Sequence, residues 1–167
     1  MSDALLALTR IISGGQTGVD RAALDAAMAH GVACGGWVPR GRRAEDGRLP
    51  PRYPLRETRS SAYAERTRLN VRDADATLIL TRGHSSGGTA LTIEFACQLR
   101  RPHLVVDLAA DADPAAARTW LAALQVRVLN VAGPRESGCP GIFEEARAFL
   151  DAMLSPPGGD DAATESA

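Results

Sequence analysis

Residues 11–31 read IISGGQTGVDRAALDAAMAHG, and this stretch decides the fold. The apolar run ALTRIIS at residues 7–13 predicts a buried strand, and apolar residues then recur at helical spacing until Gly31 ends them. Between strand and helix lies the loop GGQTG, residues 14–18. Glycine costs conformational entropy, so this cluster indicates unusual dihedrals or the close approach of another group. The stretch therefore predicts a strand, a glycine loop and a helix.

The same alternation continues along the chain. Four further apolar runs are predicted as the second to fifth strands: VACGGWV (32–38), ATLILT (76–81), HLVVDL (103–108) and VRVLNVAG (126–133). The predicted helices that follow them cover residues 60–74, 89–100, 113–125 and 141–154. Short apolar strands alternating with helices are typical of a parallel sheet covered on both faces. We therefore predict an α/β, three-layer, Rossmann-like fold of about five strands, in the order 2-1-3-4-5.

Length and composition predict one domain. The chain has 167 residues, of which 45% are hydrophobic, enough for a single core over residues 1–154. Residues 39–59 are rich in Arg, Pro and Gly without periodicity, and we expect a long loop with a functional role. The tail at residues 155–167, SPPGGDDAATESA, cannot form a core and is predicted to be disordered.

Charge and motif content narrow the classes of function. A formal net charge of −1 gives no clustered basic surface for nucleic acid. The sequence has no apolar run of about 18 residues, and its start, MSDALLALTRII, lacks the features of a signal peptide. We therefore expect a cytoplasmic protein with neither nucleic acid nor membrane as a partner. The three cysteines are widely spaced, so they predict neither a disulfide framework nor a metal site.

Two glycine loops follow predicted strands. GGQTG follows the first, and GHSSGGT, residues 83–89, follows the third. In the predicted order these strands are neighbours at the switch point of the sheet, where ligands bind in open α/β folds. Each loop leads into a helix whose first amides are unpaired and whose dipole favours an anion. The loops therefore predict a phosphate-bearing ligand, although neither is a P-loop or a GxGxxG fingerprint.

The candidate ligand-binding residues lie in these loops and on other loops at the same edge of the sheet. They are Gly14, Gly15, Gln16, Thr17, Gly18, Ser85, Ser86, Gly87, Gly88, Thr89, Arg40, Arg135 and Ser137. Arg66 and Asn70 share one face of a predicted helix, and they either reach the crevice or lie on the surface. Asp20 lies near the start of the first helix, where it could simply complement the helix dipole.

Several motifs together resemble the putative molybdenum carrier family. They run from Ile11 to about Phe143 and read GGQTGVDRAALD, GGWVPRGRRAEDG, ERTRLNV, DATLIL, SGGTALTIE and NVAGPRESGCPGI. The resemblance implies a nucleotide-type ligand site with both glycine loops facing phosphate, and a homodimer or homotetramer. It implies no required cofactor, with the molybdenum cofactor or a nucleotide as a possible ligand.

The family is distantly related to the LOG proteins, which cleave cytokinin nucleotides. Their PGGxGTxxE signature has its nearest match in SSGGTALTIE, which keeps Gly87, Gly88, Thr89 and Glu94 but lacks the proline and changes the spacing. Glu94 and Asp46 are the candidate catalytic carboxylates on this interpretation. Three functions stay open: a carrier of a phosphorylated nucleotide or pterin, a LOG-like phosphoribohydrolase, and a nucleotide-sensing interaction module.

Overall fold

A computed structural model describes residues 6–84, 87–110 and 112–157. Its central sheet has five parallel strands: β1 (Arg10–Ile12), β2 (Ala33–Gly35), β3 (Ala76–Thr81), β4 (His103–Asp107) and β5 (Val128–Ala132). Its helices are α1 (Val19–Ala29), α2 (Tyr63–Asp73), α3 (Gly88–Gln98), α4 (Pro114–Ala123) and α5 (Ile142–Leu154). Helix α5 packs against α1 and α4, while α2 packs against α3, so two groups of helices flank the sheet. The predicted Rossmann-like α/β class is confirmed.

The predicted strand order is wrong in one respect. The sheet has the order β2-β1-β5-β3-β4, because β5 pairs with β1 on one side and β3 on the other. Burial fits the position: Leu129 and Val131 are 0% exposed on one face of β5 and Asn130 is 2% exposed on the other, so the strand is covered on both faces. Val105 of β4 is 42% exposed, which fits the edge of the sheet. A strand placed last along the chain thus lies at the centre.

The observed order is a permuted form of a familiar one. If the β5–α5 unit is counted before β1, the sheet reads 3-2-1-4-5, which is the order of the first five strands of the doubly wound Rossmann fold. The strand that closes the chain therefore takes the place of the first Rossmann strand. The switch point of the sheet consequently lies between β5 and β3, one strand away from its predicted position.

Residues 39–59 are more ordered than the predicted loop. Arg43–Ala44 and Gly47–Arg48 form an antiparallel hairpin, and Arg56–Glu57 pairs in parallel with Trp37–Val38. The predicted second strand is accordingly divided, since β2 ends at Gly35 and Trp37–Val38 leaves the central sheet.

This segment has a small core of its own. Leu49, Tyr53 and Leu55 are buried against Leu24 of α1, and Val38 completes the cluster. The guanidinium of Arg42 donates hydrogen bonds to four backbone carbonyls, those of Leu49, Pro50, Tyr53 and Leu55. Hydrogen bonds from one arginine to nearby carbonyls leave no periodic pattern in the sequence, so residues 39–59 were predicted as a loop.

Some predictions fall outside the described structure. Ser85 and Ser86 lie outside it, as do residues 158–167 of the predicted tail. Helix α2 begins at Tyr63 without a side-chain cap, three residues after the predicted start with its serines, whereas α4 has the expected proline in its first turn. Within the part of the chain that the structure describes, no helix has the length and hydropathy needed to cross a membrane.

Candidate functional site

A cavity of about 450 Å³ lies over the carboxyl ends of β5 and its neighbours. Loops that follow β1, β3 and β5 line it, together with one face of α2. Both glycine loops contribute, although β5 separates the strands that carry them. The predicted ligand-binding residues at its wall are Gly14, Gln16, Gly87, Gly88, Thr89 and Arg135.

The other residues of the first loop have structural contacts. A side chain at Gly15 would meet Leu49 and Leu55 of the small core. Gly18 has φ +77°, and a Cβ there would lie 2.3 Å from the carbonyl oxygen of Pro134. Glycine is required at this position, because it lets the loop after β1 pack closely on the loop after β5.

The hairpin of residues 43–48 lies outside the cavity and contacts both the loop after β1 and the loop after β5. Glu45, at the hairpin tip, accepts hydrogen bonds from the hydroxyls of Thr17 and Ser137 and from the Ser137 amide at 3.1 Å. Desolvation raises the pKa of Glu45, but the hydrogen bonds from Ser137 and Thr17 outweigh it, so this pKa lies below its ordinary value. Thr17 and Ser137 therefore bind the hairpin rather than line the cavity.

The two candidate catalytic carboxylates lie away from the cavity. Asp46 pairs with Arg21, with both carboxylate oxygens within 3.1 Å of the guanidinium, and this hydrogen bonding lowers the pKa of Asp46. Glu94 is exposed on α3 and accepts a hydrogen bond from Gln98. Arg40 is also exposed, on the segment before the hairpin, and it is absent from the cavity wall.

A buried ion pair forms one wall of the cavity. Nη1 of Arg66 lies 3.3 Å from Oδ2 of Asp20 and donates to the Gly14 carbonyl at 2.5 Å. Burial raises the pKa of Asp20, and the positive charge of Arg66 opposes this only in part. The helix-surface alternative for Arg66 is excluded because Arg66 lines the cavity, while Asp20 lies in the first turn of α1, as its dipole alternative requires, and also pairs with Arg66. The ERTRLN face was the signal, since Asn70 also lines the cavity.

Strand β5 and Gly133, which follows it, supply cavity residues that the sequence analysis did not predict. Asn130, Ala132 and Gly133 line the cavity, and Asn130 is 2% exposed with Nδ2 donating to Oγ1 of Thr77 at 3.3 Å. Their role follows from the central position of β5, which was not predicted. A single polar residue within the apolar run VLNVA was the available signal.

The opposite side of the cavity carries the start of a helix and two basic side chains. Helix α3 begins there at Gly88, after Gly87 with φ +54°, and no side chain of the described residues caps its first turn. Arg82 and His84 precede the helix and also line the cavity. Arg82 pairs with Glu145 at 2.7 Å. This side therefore combines a helix dipole with basic side chains.

Comparisons with known proteins agree with this topology. A family model described as the circularly permutated YpsA SLOG family matches residues 11–154. The crystal structure of a putative molybdenum carrier protein from Syntrophus aciditrophicus SB, at 1.45 Å resolution, is 46% identical in sequence with a TM-score of 0.85. The alignment covers 90% of this chain and 97% of that one. No curated protein matches the chain significantly.

Proposed function

We propose that this chain, which belongs to the circularly permutated YpsA SLOG family, binds a phosphorylated nucleotide or pterin-type molecule in the cavity. One observation carries the proposal: the GGQTG loop and the start of α3, with Arg82 and His84, line the same cavity at the carboxyl edge of a parallel sheet. The similarity to a protein named as a molybdenum carrier supports a carrier-like role, with the molybdenum cofactor as one candidate ligand.

The dimensions of the cavity support a ligand longer than phosphate alone. Its volume of about 450 Å³ is within the range of small-molecule sites. Strands β1 and β3 are separated by β5, so their loops begin two strand spacings apart, about 10 Å. A phosphate at α3 leaves the other half of the cavity for a sugar or a heterocycle.

The carboxylates at the cavity wall support binding rather than conversion. Among the described lining residues, Asp20 is the sole Asp or Glu, and Arg66 is bound to it. Hydrolysis of a base–ribose bond of the LOG type needs a carboxylate available to the substrate. Glu94 and Asp46 do not face this cavity, so the LOG-like alternative would depend on Asp20.

Calorimetric titration with inosine and inosine 5′-monophosphate tests the binding proposal. On the parent protein the monophosphate should bind more tightly. Thr89→Val keeps the branched shape of this buried residue but removes its hydroxyl, so affinity for the monophosphate should fall about ten- to hundredfold. Affinity for inosine should change little, because inosine lacks the group that the hydroxyl would contact.

Thr92→Val is the matched control for this experiment. Thr92 is equally buried on α3, but its hydroxyl donates to the Gly88 carbonyl at 2.9 Å within the helix. It should leave the affinity ratio of the two ligands unchanged. Absence of monophosphate binding, or equal losses for both ligands with Thr89→Val, would contradict the proposed phosphate position. Release of free hypoxanthine by catalytic amounts of protein would favour the hydrolase.

A further inference from the structure

The side-chain amide of Gln16 is held in one orientation. Its oxygen, Oε1, accepts hydrogen bonds from the backbone amides of Thr17 at 3.0 Å and Glu45 at 2.8 Å. Backbone N–H groups only donate, so a flipped amide would place its NH₂ group against two donors. These two hydrogen bonds therefore assign which end of the amide is oxygen and which is nitrogen.

The NH₂ group of Gln16 is left for the cavity. Gln16 lines the cavity and is only 8% exposed, while its backbone N–H donates to Oδ2 of Asp20 at 3.3 Å. Across residues 6–84, 87–110 and 112–157, no acceptor forms a hydrogen bond with Nε2. Nε2 keeps access to the cavity, so water pairs with it in the free protein, and a ligand that displaces this water must supply an acceptor in its place.

Gln16 lies at the end of the cavity away from the proposed phosphate position. Its loop follows β1, the helix α3 follows β3, and β5 separates these two strands. The Asp20 carboxylate beside Gln16 disfavours a second anion there, although Arg66 compensates its charge. A neutral part of the ligand therefore fits this end, since the strands that carry the two loops lie two strand spacings apart, about 10 Å.

We infer that Gln16 selects the ligand by donating its fixed NH₂ group to a carbonyl oxygen on the heterocycle. The inference rests on the proposed function and adds a class of ligand: oxo-substituted heterocycles, as in hypoxanthine, guanine or a 4-oxopterin, over amino-substituted ones such as adenine. An amino group at the same position would meet the NH₂ group donor to donor, and the NH₂ group would lose its water without gaining an acceptor.

Titration with inosine and adenosine 5′-monophosphates tests this selection. The two ligands differ only in that inosine has a 6-oxo group and a proton on the neighbouring ring nitrogen, whereas adenosine has a 6-amino group and no such proton. The parent protein should bind the inosine nucleotide at least tenfold more tightly. Gln16→Glu keeps an oxygen toward both backbone donors and replaces the NH₂ group by a second oxygen. The preference should then shift at least tenfold toward the adenosine nucleotide, and any repulsion of phosphate cancels in the ratio.

Gln16→Met removes donor and acceptor together and should abolish the preference in either direction. The comparison on the parent protein needs no variant to fold, so the inference can be tested with it alone. Equal affinity of the parent for both nucleotides, or an unchanged ratio in a folded Gln16→Glu protein, would overturn the selection while leaving the proposed function in place. Failure of the parent to bind either nucleotide would overturn this inference together with the nucleotide-binding form of the proposed function.

Discussion

Arg66 and Asp20 form an ion pair whose side chains are only 12% and 8% exposed. Arg66 reaches Asp20 across Gly14, where a Cβ atom would lie 1.9 Å from its Nη1. Removing one partner of a buried pair leaves an uncompensated charge, which costs more than the intact pair contributes. The wall of the cavity therefore depends on the missing side chain at position 14.

We expect Gly14→Ala to displace Arg66 and to lower the free energy of unfolding by about 3 kcal/mol. Urea denaturation at pH 7 measures this loss. Gly88→Ala is the control, because no atom of the described residues, apart from the chain neighbours and the helix backbone, lies within 4 Å of a Cβ at this helical position. That change should raise stability by up to about 0.5 kcal/mol. A Gly14→Ala protein as stable as the parent would show that Arg66 is not required at the wall.

The pH dependence of stability should carry a signature of Asp20. Burial raises its pKa above the usual 3.8, so the folded state binds this proton more tightly than the unfolded state does. The contribution is complete below pH 3.8 and is lost as pH rises through the raised pKa. The stability of the parent relative to Asp20→Asn should therefore fall as pH rises from about 3.5 to 7. A relative stability that rises with pH would mean that the charge of Arg66 dominates.

Glu45 should give the opposite dependence. Although desolvation raises its pKa, hydrogen bonds from Ser137 and Thr17 lower it overall, so its contribution is present above pH 4.5 and lost as pH falls through the lowered pKa. Glu45→Gln should melt at a lower temperature than the parent at pH 7, and the gap should narrow toward pH 3. Glu94→Gln, an exposed change on α3, should track the parent throughout. A gap that is constant with pH would exclude the carboxylate charge as the cause.

Arg42 should determine the order of the segment after the hairpin. Lysine cannot reproduce its four hydrogen bonds to backbone carbonyls, so Arg42→Lys should cost about 2 kcal/mol and speed cleavage between Leu49 and Leu55 in limited proteolysis. Arg43→Lys, at the exposed neighbouring position, should cleave at the parent rate. Equal rates for both variants would mean that the apolar cluster alone holds the segment.

Local periodicity was sufficient to predict most helices and the class of the fold. The apolar run of β3 and the spacing of α1 depend on neighbouring residues, and both were placed within a few residues. The place of β5 within the sheet could not be predicted from its own residues. Its apolar run fits an edge or a centre equally well, and only burial against both neighbours distinguishes them.

The part of the candidate site that glycine loops form was predictable from the sequence. Gly14, Gly87 and Gly88 were found because glycine clusters are rare inside strand–helix units. Asp20 and Arg66 were not resolved, because their 46-residue separation is bridged only in the folded chain. The roles of all these residues, and of Gln16, in binding a ligand stay predictions.

The central place of β5 also sets an order of events during synthesis. Strands β1 and β3 leave the ribosome before β5, the strand that joins them. Until β5 is made, the pairs β2-β1 and β3-β4 each have an edge without its partner strand, and the sheet is incomplete. Contacts between Ile11 and Leu129 span most of the chain and close late. A nascent chain that ends before β5 therefore lacks the wall of the cavity that Asn130 and Ala132 supply, and the cavity is complete only after β5 has been made.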